Sequence, residues 1–463
     1  MAYFCEILAC ERRLKNVREF VYIKSEIKKI KNVETAIIYP SYSVNGKDIM
    51  RKGGDFYAVL NHETGFWETD EGAAIHYIDQ KLKKYADEKF GPESGYDTIV
   101  KYLDDSTTNK LKEYNVWMSN LPKNHNYIPL DSDITFIGEK VTPEMYRSKT
   151  LPYNPAEQPI PCYDRLMSVL YSEDDRKKIE WLVGSILCRE SKNIEKALVI
   201  YGKPGSGKST VLDIIEELVS GYWKEFIADD LARGNNQFAT ALFKDNPLVA
   251  IQDDGKLTKI ESPIINEIIS HKRIVVNEKN KRQYSIRSNA VLILATNDPV
   301  DIHDIKLGIV RRLLDVYPSG KTFDVEEYER LKEGVKFEIP GIAYRCMQVY
   351  KECGRNYYTG YRPDRMIHLT NYIQNFMFDE LDSIESYINS NKGYAKKEFL
   401  YEKFKGYCEK SGLLYPQKIT TFGEEIKEYF EKSIPNKWIN GKNQRNVYEG
   451  LKVWKILGIS EKE

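Results

Sequence analysis

Apolar residues follow three patterns along this chain, and their order predicts an α/β protein. The first is a short unbroken apolar run, as in Ala197 to Tyr201, Pro247 to Ile251 and Val291 to Thr296. Such runs, separated by helical stretches, read as strands of a parallel sheet buried on both faces. The second is alternation. Gly53 to Trp67, GGDFYAVLNHETGFW, alternates aromatic and polar residues about Asn61 to Gly65 and predicts a β-hairpin. Ile274 to Val276 and Tyr284 to Ile286 flank the polar stretch Asn277 to Gln283 and predict a second hairpin with a basic tip far from the core, a solvated turn being the plain alternative. The third is helical spacing. It marks Ala73 to Phe90, a helical subdomain from Asp164 to Arg189 (Leu166, Leu170, Ile179, Leu182, Ile186), a helix from Thr210 onward, Ile265 to Ile269, and helices around Leu369 to Ile388. Residues 1 to 50 read as short strands and helices, and Lys110 to Thr150, punctuated by Pro122, Pro129 and Pro143, as loop. At the C-terminal end Lys396 to Gly412, Ile419 to Lys432 and Lys437 to Ile456 give helix, helix and a hairpin turning at Asn440-Gly441, the order of a winged-helix module.

The candidate chemistry sits where the strands end. After Ala197 to Tyr201 comes Gly202-Lys203-Pro204-Gly205-Ser206-Gly207-Lys208-Ser209, then Thr210 and an apolar-periodic helix. This fits G-x-x-x-x-G-K-[ST] in its strand-loop-helix setting, which predicts an ATP site. Glycines let backbone N–H groups turn inward around a triphosphate, and the helix N-terminus adds partial positive charge. Lys208 is expected to neutralise the β and γ phosphates, and the Ser209 hydroxyl to ligate Mg²⁺. About 40 residues on, a buried strand ends in Gln252-Asp253-Asp254. Carboxylates there reach Mg²⁺ and the attacking water, Asp253 holding the metal and Asp254 polarising the water. The third strand ends at Asn297, a neutral donor and acceptor able to orient a water against the γ-phosphate. Soon after comes Gly308 to Leu314, with the doublet Arg311-Arg312.

Composition narrows the partners. With 463 residues the chain is long enough for two to four domains. Lys+Arg and Asp+Glu both number 69, so any nucleic-acid contact must come from local basic patches. Seven scattered cysteines (Cys5, Cys10, Cys162, Cys188, Cys346, Cys353, Cys408) without a C-x-x-C pair, and six dispersed histidines, give neither a disulfide frame nor a zinc site. His62 and His76 accordingly read as surface or core residues. No apolar run approaches membrane length and the N-terminus lacks the features of an export signal, so a soluble cytoplasmic protein is expected. In the C-terminal hairpin Lys437, Lys442, Arg445 and Lys452 are candidate phosphate contacts, with a solvated basic hairpin the even alternative. Lys418, at the start of the preceding helix, is an isolated charge there.

Four elements in this order, GKPGSGKS, LVAIQDD, the basic hairpin VVNEKNKRQYSI, and LILATNDP followed by VRRLL, resemble the superfamily 3 helicase branch of AAA+ ATPases found in phage, plasmid and viral primase-helicases and replication initiators. More weakly, GGDFYAVLNHETGFW, KTLPY and the helical lead-in to Cys188 resemble the region preceding the helicase in poxvirus-type and phage primase-helicases, and FEIPGIAYRCMQVYKECGR the helical segment that follows it. The resemblance implies an AAA+ P-loop ATPase core (191–322), a parallel sheet with flanking helices. Before it would stand an N-terminal α+β domain (1–100) and a helical lead-in (101–190), after it a helical lid or linker (323–385) and a C-terminal winged helix (386–463). It further implies a homo-hexameric ring with ATP sites between subunits. Lys208 and Ser209 would serve the phosphates and Mg²⁺, Asp253 and Asp254 the acidic motif and Asn297 the sensor. The neighbour would supply an arginine from the doublet, Arg312 being favoured over Arg311. Lys279 and Lys281 match the hairpin that tracks one DNA strand through the pore, helped by Arg282 and Lys272. Asp254 departs from the family's more frequent Glu, which leaves open what positions the water.

The expected activity is an ATP-driven replicative DNA helicase of a phage or mobile element, acting on single-stranded and forked DNA, with priming left to a partner primase or polymerase because the N-terminus lacks catalytic carboxylate motifs. An origin-binding initiator using the ATPase as an assembly switch is the alternative, and a remodeller of proteins a third.

Overall fold

The computed structural model describes residues 21–42, 49–100 and 128–456, apart from 53–54, scattered positions within 71–96, and 235, 256–261, 301–308, 371, 411–417 and 440. Expectations placed on residues 1–20, on Cys5 and Cys10, on 101–127 with Pro122, on Gly308 and on Asn440 therefore lie outside the described residues.

Two small sheets come first. β1 (Val21–Ile30) and β2 (Val33–Tyr42) form an antiparallel hairpin that β6 (Asp97–Val100) extends in parallel. β3 (Ile49–Lys52), β4 (Asp55–Leu60) and β5 (Trp67–Glu68) form the second, with the turn predicted at Asn61 to Gly65 between β4 and β5. Asn61 closes that turn, its side-chain oxygen accepting from the Glu63 and Thr64 amides. The described positions of 72–90 are helical. Trp67 fixes this sheet to the following loop, its indole donating to the Pro143 carbonyl at 3.0 Å and its ring stacking on Tyr146. The loop is tied in turn to the next layer by the Tyr222 hydroxyl, which accepts from the Thr135 amide and donates to the Lys149 carbonyl.

The central sheet has five parallel strands in the order β13-β7-β12-β9-β8: β7 is Ala197–Tyr201, β8 Trp223–Glu225, β9 Val249–Gln252, β12 Val291–Thr296 and β13 Leu313–Val316. Strict alternation divides its side chains between two cores. Leu198, Ile200, Ile251, Ile293 and Leu314 face a cluster built with α1 (Pro161–Leu170), α2 (Glu173–Leu187), α3 (Lys208–Leu218) and α6 (Val325–Cys353). Ala197, Val199, Tyr201, Ala250, Leu292 and Leu313 face a second cluster with α4 (Ala228–Arg233) and α5 (Pro263–Ile269). Burial on both faces is why these strands read as unbroken apolar runs.

The helical stretch expected from Asp164 to Arg189 consists of two helices. Tyr171 is extended, and Ser172 caps α2 by accepting from the Asp175 amide, ahead of three acidic residues in the first turn. After α6 come α7 (Asp364–Thr370), α8 (Tyr372–Asp379) and α9 (Leu381–Ser390). They lead into β14 (Tyr394–Lys396), α10 (Lys397–Lys410), α11 (Ile419–Ile426) and the antiparallel strands β15 (Phe430–Ile439) and β16 (Lys442–Leu451). The C-terminal helix-helix-hairpin order holds, around a separate core that includes Phe376, Phe404, Phe422 and Tyr448.

α2 crosses α6 at Gly184. A Cβ built there would lie 2.1 Å from the Cys346 carbonyl oxygen, a backbone atom that cannot swing aside. Gly184→Ala should therefore separate the two helices and lower stability by about 3 kcal/mol, read as a fall in urea midpoint at unchanged m.

Candidate functional site

Three adjacent strands, β7, β12 and β9, end on the same edge of the central sheet, and their C-terminal loops meet there. β7 is also where the strand order reverses, since the chain leaves it for β8 at the far edge and returns through β9 and β12 before crossing to β13. A crevice at such a point, outside the carboxyl ends, is the usual ligand position of an open parallel sheet. The loop Gly202–Gly207 leaves β7 and enters α3 with Gly205 at φ 73° and Gly207 at φ 96°. Gly207 is doubly constrained, because a Cβ would also meet the Leu170 side chain at 2.8 Å. From outside the loop the Tyr171 hydroxyl donates to the Gly207 carbonyl at 3.0 Å.

Lys208 is buried, and its ammonium donates to three oxygens: Gly202 O at 2.7 Å, Lys203 O at 3.1 Å and Asn297 Oδ1 at 2.9 Å. Asn297, just past β12, donates with its other amide atom to Asp254 Oδ1 at 2.6 Å. Ser209, beside Lys208, donates to Asp253 Oδ1 at 3.3 Å. The predicted loop, acidic pair and asparagine are thus one hydrogen-bonded group. Asp254 takes a left-handed backbone, φ 46°, at the end of β9, and the next residue is tied back to β12 by the Gly255 amide on the Ala295 carbonyl. Ser206 Oγ is buried in the loop with no partner among the described residues.

Next to the loop is a cleft of about 340 Å³ lined by Leu170, Gly205, Ser209, Thr210, Phe323 and Tyr328. Sequence reasoning missed Phe323 and Tyr328, which belong to the start of α6 and the segment before it. The Thr210 and Tyr328 hydroxyls are 2.5 Å apart, and the Phe323 and Tyr328 rings are near-parallel with centroids 6.3 Å apart. The available signal was aromatic: FDVEEYER places Phe323 and Tyr328 around the Asp324 cap.

The arginine doublet divides. Arg312 is mostly buried, its guanidinium on Glu195 Oε2 at 2.8 and 2.9 Å and on Asn266 Oδ1 at 3.2 Å. Arg311 is exposed, while its carbonyl accepts from Lys196. Burial and the nearby Arg311 charge lower the Lys196 ammonium to about 8.

The second hairpin pairs β10 (Arg273–Val276) with β11 (Tyr284–Arg287). Lys279 and Arg282 are exposed at its tip, and Lys281 lies 3.6 Å from Glu278. Lys272 precedes β10 at the foot, its carbonyl accepting from Ser288, so it is not brought to the tip with the others. Lys442 and Arg445 are exposed on β16, opposite Ile439 and Asn436.

Residues 200–312, which span the loop, the acidic pair, the hairpin and the arginine doublet, match a family of unknown function (DUF5906). Residues 370–456 match the family described as poxvirus D5 protein-like, so the C-terminal part is similar to poxvirus D5 proteins. No curated protein matches the chain. Among solved structures, the A form apo structure of the NrS-1 C-terminal region is similar at 15% identity and TM-score 0.44, covering 74% of this chain and 91% of that one. A second apo A form of that region, residues 305–718, is similar at 16% identity and TM-score 0.42, covering 80% and 90%. No helix among the described residues is long and apolar enough to cross a membrane.

The Glu195–Arg312 pair is testable on its own. Because Glu195 is half exposed, the double cycle of Glu195→Ala and Arg312→Ala should give a coupling of only about 0.5–1 kcal/mol in urea unfolding, shrinking with added salt.

Proposed function

We propose that this chain is an ATP-hydrolysing DNA-replication motor of the superfamily 3 AAA+ type, a helicase working as a ring of subunits. The observation that carries the reading is the hydrogen-bonded group across three strand ends: Lys208 to Asn297, Asn297 to Asp254, and Ser209 to Asp253. A catalytic set for phosphoanhydride hydrolysis needs a cation for the phosphates, a hydroxyl and a carboxylate for a metal, and a polar group for the water. These are the types found together. The similarity of residues 370–456 to poxvirus D5 proteins supports a role in viral-type replication.

Each residue then has a task. Lys208 has three donors and three acceptors, so an arriving phosphate must displace one of them. Asn297 is the acceptor on a side chain; released, its amide is available to orient a water that Asp254 polarises. Ser209 Oγ and Asp253 Oδ1, 3.3 Å apart, offer a hard cation one hydroxyl and one carboxylate. That fits Mg²⁺, which is typically held by one or two protein groups together with substrate phosphates. When bound, Mg²⁺ would neutralise charge on the transferred phosphate. Buried, unpartnered Ser206 Oγ and the turn of Gly202 to Gly207 suit a phosphate cradle, Lys203 and Pro204 shaping its outer rim and Thr210 its exit into α3. The cleft with Phe323 and Tyr328 would receive the rest of the nucleotide.

Because Arg312 is committed to Glu195 and Asn266 within its own chain, we assign the arginine offered to a neighbouring subunit to exposed Arg311, with Arg312 positioning it. Lys279, Lys281 and Arg282 would contact single-stranded DNA in the ring's pore. The helix-helix-hairpin unit at the C-terminus is read as a winged helix, Lys442 and Arg445 meeting duplex phosphates. Those exposed cations favour a second reading, an origin-binding initiator, which would bind one sequence and unwind little.

Lys208→Ala should abolish ATP turnover with the fold unchanged by circular dichroism, and retained turnover would remove the site. Arg311→Ala should keep nucleotide binding but cut turnover by up to about 10³. Mixing it with Lys208→Ala subunits should restore part of the activity, and mixtures that remain dead would refute a site shared between chains.

A further inference from the structure

Between the second N-terminal sheet and the basic hairpin lies a cleft of about 870 Å³, and no residue of the loop Gly202–Ser209 lines it. Lys52, Phe56 and Tyr57 come to it from β3 and β4, Arg282 and Tyr284 from the hairpin, and Lys149, Trp223 and Lys224 from the central body. Its lining carries six cations (Lys52, Lys149, Lys224, Lys244, Lys281, Arg282) against three carboxylates. Each carboxylate is already engaged. Asp131 accepts from the Ser148 amide at 2.7 Å and lies 3.8 Å from Lys149; Asp245 is 3.5 Å from Lys224. Glu278 accepts from the Tyr284 hydroxyl at 2.8 Å and lies 3.6 and 3.7 Å from Lys281 and Lys244. Positive charge is therefore left in surplus in a partly enclosed space. Burial lowers the Lys52 ammonium to about 8 and lowers Lys149 as well, so the nearby carboxylates do not offset the desolvation of either.

A surplus of cations around one cleft, Lys52 and Lys149 the more enclosed and Lys224, Lys244 and Lys281 about half exposed, calls for an anion, and the aromatic lining says which kind. Tyr57 and Tyr284 hold the Lys52 ammonium over their rings, 5.5 and 4.8 Å from the centroids. Phe56 and Trp223 are rings of the kind on which unpaired bases stack whatever their sequence, and for which an acidic peptide has less use. At about 870 Å³ the cleft has the size of a site for a few nucleotides rather than for a length of duplex. We propose that this cleft holds an unpaired stretch of nucleic acid, its phosphates on Lys149, Lys224 and Arg282 and its bases against Phe56 and Trp223. The strand's path then includes the N-terminal sheet as well as the hairpin tip. The inference rests on the DNA-acting reading above and extends it to residues that reading leaves idle.

Lysine acetylation of the wild-type full chain, with and without a short oligothymidylate, tests it directly. Lys149 and Lys224 should be protected several-fold, and polyglutamate at equal charge should protect them far less. Equal acetylation with and without the oligonucleotide, while Lys279 is protected, would overturn the cleft and spare the helicase reading. Failure of the wild type to bind the oligonucleotide at all would overturn both. Protection by polyglutamate as strong as by oligothymidylate would replace nucleic acid with an acidic protein. In a second measurement, the double change Lys149→Ala and Lys224→Ala should weaken oligothymidylate binding about tenfold and reduce its log–log salt slope by about 1.4, as for two single-strand phosphates. ATP turnover without DNA should stay at the wild-type value. Unchanged affinity and slope would count against the cleft.

Discussion

The site depends on keeping one ammonium group dry. Lys208 is buried at the first turn of α3, and a buried cation is tolerated only where oxygens replace its water. Two of its three acceptors are carbonyls of its own loop, which any chain folded as Gly202 to Gly207 would provide. The third is Asn297, far along the sequence, and it is in place only because β12 is inserted between β7 and β9. The strand order that delivers Asn297 to Lys208 also sets Asp253 and Asp254 one strand further out. Ser209 and Asn297 can then each reach one carboxylate. The topology of the sheet and the solvation of one lysine are the same constraint seen from two sides.

How much of this was legible followed from how local each feature is. The three central strands were readable because both faces are buried and their composition says so. The loop was readable because its glycines answer a backbone requirement, φ 73° and 96°, that few other residues meet. Apolar periodicity marked Asp164 to Arg189 as helical but not where it divides, because the periodicity runs on through the gap at Tyr171; the cap of Ser172 on the Asp175 amide is what separates α1 from α2. The pairing of Arg312 with Glu195 was beyond sequence reasoning, since opposite charges far apart in the chain carry no mark of proximity. Two adjacent arginines look alike in sequence. Only packing distinguishes the one held at 13% exposure from its exposed neighbour.

Zero net charge hides a marked separation. On one side Arg312, Arg147 and Arg176 are each matched by carboxylates. On the other, the surroundings of Lys52 and Lys149 combine cations with burial that lowers both ammonium groups. Whole-chain charge therefore says little here about partners, and local compensation says more.

The placement of the hairpin also limits how a change at the strand ends could move it. β11 runs through residues 288–290 straight into β12, so hairpin and Asn297 are the two ends of one segment. β12 is buried along its length and bonded to β7 on one side and β9 on the other, and sliding it would break both ladders at once. At the hairpin's own foot the Ser288 amide is held by the Lys272 carbonyl, and near its tip Asn277 is held by Thr240 and Gln237. A change of bonding at Asn297 cannot reach the tip by strand displacement. The hairpin moves only as the body it is bonded to moves, so in a ring of the kind proposed above any shift of its tip would have to be a rotation of one whole subunit against another.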